Sequence, residues 1–251
     1  LKIIAMSDVG NVRTINQDYV RYHQKSEQEG LVVLCDGMGG HNAGEIASKL
    51  TCDDIIEHYQ QHGAFQSTEE IHDWMEEVIN HAHHLVMNES HTSENLEGMG
   101  TTVVIVLCID NHIYISHVGD SRAYLFKDNQ LIQLTKDDTL VNVLIDSGTI
   151  SQEEALYHPQ KNILLQAVGV SEHLDVSFTT QQGNGHLILV CSDGLYNSLF
   201  DPQLIEILQK DIDLEEMGKE LMDAANTFGG KDNIGFALIL TKGVVENESD
   251  K

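Results

Sequence analysis

Four aspartates stand at the ends of apolar segments: residues 31–37 read LVVLCDG, 187–194 read LILVCSDG, VGDS occupies 118–121, and KDN at 231–233 precedes a final apolar run. Asp36, Asp193, Asp120 and Asp232 are therefore each polar at the end of an element whose other residues favour burial. One Asp-Gly pair is ordinary turn chemistry. Four acidic strand ends, in a chain with other turn residues available, point to a shared task. Crowded like charges are costly away from water, and bound cations are the direct way to offset their repulsion. Carboxylates, glycine carbonyls and water are hard oxygen ligands of the kind that take Mg²⁺ or Mn²⁺.

Zinc fits this pattern less well. Cys35 and Cys191 end apolar runs, Cys108 lies inside one, and Cys52 stands apart, with no CxxC pair among them. They read as buried, reduced thiols. His81, His83 and His84, near His91, could bind incidental metal, but they lack the HExxH pattern and its glutamate. A solvated helix face is the simpler reading of that cluster.

The elements that must position the aspartates follow from periodicity. Strands are expected at Tyr19–His23, Leu31–Cys35, Thr101–Ile109, His112–Val118, Arg122–Phe126, Leu131–Leu134, Leu187–Cys191 and Ile234–Leu240. After the second of these comes DGMGGHNAGE, in which Gly37, Gly39 and Gly40 are expected to supply turn conformations, and Asn42 to cap a helix with Glu45 in the reciprocal place. That helix is expected over Ala43 to about Tyr59. Ser67 with Glu70 should cap a second one, whose Ile71, Trp74, Met75, Val78, Ala82 and Leu85 share a face.

Shorter helices are expected at Leu140–Asp146 and at Gln152 to about Tyr157, the latter capped by Ser151 with Glu154. Asp201 as a cap followed by Pro202 starts another, and Asp213 with Glu216 caps one over Leu214–Ala225. The run of strands after Gly100 is too closely spaced for crossover helices, which argues for an antiparallel meander rather than a doubly wound parallel sheet. The fold class that results is α+β: a four-layer α-β-β-α sandwich with two central antiparallel sheets flanked by helices. One catalytic domain over residues 1–245 is expected, with a polar tail at 246–251 and a candidate flap at 148–169.

Composition narrows the partners. The 251 residues hold 40 Asp and Glu against 14 Lys and Arg, a formal net charge of −26. Nucleic acid is excluded as a partner, because its phosphates need a basic patch and the only arginines are Arg13, Arg21 and Arg122. The charge attracts cations and basic peptides, although solubility explains most of it. No apolar stretch reaches membrane-spanning length and the amino terminus lacks a signal peptide's apolar core, so a cytoplasmic protein without membrane insertion is expected.

The order of motifs resembles the metal-dependent serine/threonine protein phosphatases of type 2C, especially their compact bacterial members. The resemblance runs from SDVGNVRTINQD at 7–18 through VVLCDGMGGHNAGE, GMGTTVVIVL, VGDSRAYLF, LTKDDTLV and CSDGLYNSL to GGKDNIGFALI at 229–239. It implies that Asp36 bridges two metal ions and that the Gly37 carbonyl completes one site. Asp193 and Asp232 would bind the other ion, and Asp18 would orient water from outside the ligand sphere. Asp120 with Asp193 matches a third-metal position of bacterial relatives, Asn233 a supporting neighbour, and Arg13 the arginine that clamps substrate phosphate. A guanidinium suits that last task because it offers two parallel donors.

Two positions depart from the family pattern. Gln17 stands where many relatives carry glutamate, and Met38 where animal relatives have a histidine proposed as general acid. The implied reaction is one-step hydrolysis of phosphoserine or phosphothreonine by an activated water, with two catalytic Mn²⁺ or Mg²⁺ ions and a third beside them. A covalent route is disfavoured, since no cysteine begins a Cys-x₅-Arg loop and Ser192 lacks the glycines of a nucleophile elbow. The expected partners are phosphorylated proteins, with a membrane-associated serine/threonine kinase opposed by a monomeric enzyme. The competing readings are a small-molecule phosphomonoesterase and a noncatalytic phosphopeptide-binding module.

Overall fold

Alternate residues of the segment Leu31–Cys35 serve different cores. Leu31, Val33 and Cys35 pack beneath helices, whereas Val32 and Leu34 pack against a second sheet. The same division recurs in the last strand, where Phe236 and Leu238 face helices and Ala237 and Ile239 face the other sheet. A strand apolar throughout is buried on both faces, which is why four layers form.

The computed structural model describes residues 1–39 and 43–243. In chain order its elements are β1 (Lys2–Asp8), β2 (Asp18–Gln24), β3 (Glu29–Met38), α1 (Gly44–Gln61), α2 (Thr68–Ser90), β4 (Gly100–Thr101), β5 (Val103–Ile109), β6 (His112–Val118) and β7 (Arg122–Lys127). There follow β8 (Gln130–Gln133), α3 (Leu140–Asp146), α4 (Gln152–Leu156), β9 (Ser177–Gln182), β10 (Leu187–Cys191), α5 (Asp193–Ser198), α6 (Asp201–Leu208), α7 (Leu214–Phe228) and β11 (Ile234–Leu240). One sheet has the order β1-β11-β10-β7-β8; the other runs β2-β3-β5-β6-β9, with β4 on β3. All the strand pairings are antiparallel. Helices α1 and α2 cover the second sheet, and α5, α6 and α7 cover the first, so the expected four-layer α+β sandwich is the observed architecture.

Several helix starts are as expected from their caps. Ser67 Oγ accepts from Glu70 N, Asp213 Oδ1 from Glu216 N, and Ser151 with Glu154 forms a reciprocal capping box. The start of α6 lies one residue earlier than expected: Phe200 is the cap, and Asp201 and Pro202 lie inside the first turn. Proline tolerates that turn because its missing N–H would have no partner there. The expected cap at Asn42, the turn role of Gly40 and the tail at 246–251 fall outside the described residues.

The strands after Gly100 form two hairpins in different sheets instead of one meander. β5 pairs with β6 and β7 with β8, and Gly119 at φ +103° carries the chain from one sheet to the other. Strands β1 and β9 and helix α5 had no strong sequence signal. β1 (KIIAMSD) lacks a regular alternation, and β9 (SFTTQQ) is a polar edge strand. All four cysteines are buried and unpaired, as expected. His83 is a correction: it lies only 2% exposed, with Nδ1 accepting from Gly169 N at 2.9 Å, and so belongs to the interior and not to a solvated face.

Candidate active site

Asp36 is set by pairing on both sides of β3. Across β2 its register partner is Asp18, and on the other side its N–H donates to Thr102 Oγ1 at 3.0 Å while its carbonyl accepts from Thr102 N at 2.9 Å. Thr102 is itself held by Ser121, hydroxyl to hydroxyl at 2.7 Å. The end of the strand is thus fixed by backbone bonds, and the carboxylate projects from a rigid base.

The following glycine is needed for space. Gly37 continues β3 and does not adopt a left-handed conformation; a Cβ there would stand 2.1 Å from the Gly44 carbonyl oxygen and 2.8 Å from that of Gln17. The expected turn role belongs to Gly39, whose φ is +139°. Gly194 follows the same logic as Gly37. It sits in α5, where a Cβ would meet the Asn233 carbonyl oxygen at 1.8 Å.

Asp193 opens α5 directly after β10, placing its carboxylate at a helix start, and Asn197 donates to its Oδ2 at 3.1 Å. Asp232 lies just before β11, and its Oδ1 accepts from Asn233 N. Asn233 then locks the loop that carries Arg13: its Oδ1 accepts from Gln17 N, and its Nδ2 donates to the carbonyls of Val9 and Ile15, each at 2.9 Å. Arg13 reaches back from that loop to donate through Nη2 to Asp232 Oδ2 at 2.8 Å. This bond raises the basicity of the guanidinium.

These side chains converge. A cleft of about 320 Å³ is lined by Arg13, Gln17, Asp36, Gly37, Asp120, Asp193, Asp232 and Asn233, together with Met38, Thr102, Asn162 and Leu164. Asp18 is only 4% exposed and lies behind Asp36, its Oδ2 accepting from Ser192 Oγ. Asn162 and Leu164 bring the 148–169 segment to the cleft wall. Backbone bonds between Leu165 and Asp138, Leu140 and Ile163, and Val168 and Thr101 tie its later part down. Sequence reasoning missed the roles of Thr102 and Ser192, whose signal would have been their places beside Asp36 and Asp193.

The electrostatics are those of too many carboxylates in one place. Burial, then the charges of Asp18, Asp193, Asp120 and Asp232, holds the Asp36 carboxyl well above the usual range. Burial lifts Asp18 to about 7 against the opposing Ser192 bond. Burial and the neighbouring Asp193 lift Asp120 to about 7, while burial and Asp232 lift Asp193 to about 6. Divalent cations reverse these effects by supplying the missing positive charge. Among the described residues, no three of the cleft carboxylates bring oxygens within 4.8 Å of one another.

Behind the cleft, Arg122 braces its wall. It grips Asp137 through Nε and Nη2, at 2.9 and 2.6 Å, and its guanidinium lies 3.7 Å from the ring centre of Tyr196. The Tyr196 hydroxyl donates to the Asp120 carbonyl at 3.1 Å.

Comparison with known proteins gives a consistent result. A family model described as protein phosphatase 2C matches residues 11–235. The chain is 36% identical over 234 residues to the serine/threonine phosphatase stp of Listeria monocytogenes serotype 4b (strain F2365), covering 93% of each. The S. agalactiae serine/threonine phosphatase superposes with a TM-score of 0.90 at 34% identity, over 96% of this chain and 99% of that one. The catalytic domain of the serine/threonine protein phosphatase PstP in complex with 2 manganese ions gives 0.81 at 31%, over 94% and 96%.

Proposed function

The chain belongs to the protein phosphatase 2C family and is a metal-dependent serine/threonine protein phosphatase, and on that premise we propose how its residues divide the work. Asp36, the Gly37 carbonyl, Asp193 and Asp232 would hold two divalent ions, Mn²⁺ or Mg²⁺. When bound, the ions supply positive charge at the cleft floor and acidify a water for attack on phosphorus. Arg13 holds the substrate phosphate by two parallel donors and neutralises charge on its equatorial oxygens. Asp18, behind Asp36, would orient water from outside the ligand sphere, and Asn233 keeps the Arg13 loop in place.

The observation that carries this reading is the gathering of Asp36, Asp193, Asp232 and Asp120 in one cleft beneath an exposed arginine. With phosphate present, Arg13 exchanges Asp232 for the substrate. The test is hydrolysis of a phosphothreonine peptide. Activity should disappear with EDTA and return with Mn²⁺, and Arg13→Ala should raise KM more than it lowers kcat. Metal-loaded protein inactive on diverse phosphopeptides would refute the assignment, and unchanged kinetics in Arg13→Ala would remove that residue's role.

Asp120 stands beside Asp193 at the cleft edge, and we assign it with Asp193 to a third ion. Asp120→Asn should bind one Mn²⁺ fewer than wild type in equilibrium dialysis and turn over more slowly. An unchanged stoichiometry and rate would rule that ion out. We propose that the 148–169 segment is a substrate-facing flap, a reading supported by Asn162 and Leu164 on the cleft wall.

Among the described residues no helix is long and apolar enough to cross a membrane. Unpaired, buried cysteines favour a reducing, cytoplasmic setting. There the enzyme acts as a monomer against the products of a membrane-associated serine/threonine kinase. Size-exclusion chromatography of the purified chain tests the monomer directly: a dimer peak would contradict it.

A further inference from the structure

The two helices that cover the second sheet also carry a cluster of ligand-type side chains outside the cleft. Asp54 and His58 lie one turn apart on α1, and His81 faces them from α2. His81 Nδ1 stands 2.9 Å from Asp54 Oδ2, and His58 Nδ1 stands 3.6 Å from Asp54 Oδ1. The two imidazole rings meet at 61° with centroids 4.7 Å apart. One ligand atom from each of the three residues lies within 4.8 Å of the others, and among the described residues this is the only such group.

We propose that Asp54, His58 and His81 form a second metal site, for Zn²⁺, that pins α1 to α2. Two imidazoles and one carboxylate are the donor set of a three-ligand zinc centre with water in the fourth position. Nitrogen donors select zinc-class ions over Mg²⁺ and Ca²⁺, which take oxygen. The protein would then hold two chemically different classes of ion: hard cations on the aspartates of the cleft, and a borderline one on the helices.

The surroundings support a built site. Asp54 is held by the fold, its side chain only 12% exposed between the helices, while both imidazoles remain accessible to an arriving ion. The cluster opens onto a groove of about 620 Å³ whose walls include Asp73 and Glu77, so the local field draws cations. None of these residues lines the catalytic cleft.

The site is tested by Zn²⁺ titration calorimetry with Mg²⁺ in large excess, so that ions bound in the cleft contribute equally to every protein compared. Wild type should bind one Zn²⁺ more than His81→Ala, or bind it more than about tenfold tighter, since even outer partners of a metal ligand are worth about 10-fold to 100-fold. His58→Ala should behave like His81→Ala, and His81→Cys, which replaces one zinc ligand by another, should keep the extra ion. Zn²⁺ should raise the melting temperature of wild type and His81→Cys but not of the alanine variants. Mn²⁺-dependent phosphatase activity should be the same in all four proteins. Equal Zn²⁺ stoichiometry and affinity in wild type and both alanine variants would overturn the proposal, as would an extra ion lost equally in His81→Cys.

Discussion

Asp36→Asn should lower metal-dependent turnover by more than about 100-fold, because outer partners of a metal ligand alone are worth about 10-fold to 100-fold and Asp36 is proposed as a direct ligand. The same substitution should raise the melting temperature of the EDTA-treated protein at pH 8. The physical reason is that burial and the charges of Asp18, Asp193, Asp120 and Asp232 oppose ionisation of this carboxyl, and an amide of nearly the same shape cannot ionise. Acids whose folded values are raised contribute stability that is full below their unfolded values near 4 and is lost as pH rises through the folded ones. Here that window is set by Asp193, lifted to about 6, and by Asp18 and Asp120, lifted to about 7.

The metal-free wild type should therefore lose stability as pH rises from about 4 to about 7, the window those three acids define, and Mn²⁺ should restore it. Asp36→Asn should lose less over the same interval. Thermal unfolding across that interval and at pH 8, with EDTA or Mn²⁺, separates this from simple damage to the fold. Should the metal-free variant melt below wild type at pH 8, the crowding of charge is not what the site stores.

The aspartates were legible because each breaks an apolar run, which is a local signal. Their convergence was not a local property. Asp36 belongs to the sheet of β2 and β3, whereas Asp193 and Asp232 flank β10 and β11 of the other sheet. The cleft lies where the two sheets meet, so ions held there would join the two halves of the sandwich. Long strands and capped helices were readable from residue type, as with Ser67, Ser151 and Asp213. The transfer of the chain between sheets at Gly119 was not, because a glycine with positive φ serves equally in a hairpin and in a crossing. Strand β9 escaped notice for a related reason: its polar residues suit an edge, where one side of the strand faces water.

The glycines after the aspartates were legible in position and misread in cause. Both had the look of turn formers. In the fold, neither Gly37 nor Gly194 has a positive φ, and what each supplies is the absence of a Cβ. Asn233 shows the complementary case. Its amide holds three backbone groups of the 9–17 loop at once, a role that a KDN tripeptide does not announce.

Gly194→Ala is expected to be among the most damaging single-methyl changes in the chain. The added Cβ would lie 1.8 Å from the Asn233 carbonyl oxygen, and both sides of that contact are backbone, so no side chain can swing away. Asn233 cannot yield alone, because its side chain is bonded to Val9, Ile15 and Gln17, and its N–H to Asp232. Relief must move either the start of α5, which carries Asp193, or the loop that carries Asp232 and anchors Arg13. Overpacking of this kind costs about 3 kcal/mol, which in a chain of this size lowers the melting temperature by roughly 6–12 °C. Turnover should fall further than stability requires, since Asp193 and Asp232 are displaced relative to each other.

Gly63→Ala is the matched control. No atom lies within 4 Å of a Cβ built there and its φ is not positive, so the change should leave activity intact and stability equal or slightly higher. Melting curves in EDTA, together with Mn²⁺ titrations of activity at a temperature where both variants are folded, distinguish the two effects. A Gly194→Ala protein with the wild-type melting temperature and Mn²⁺ response would mean that the contact between α5 and the 231–233 loop relaxes freely, and that the spacing of Asp193 and Asp232 is not held by it.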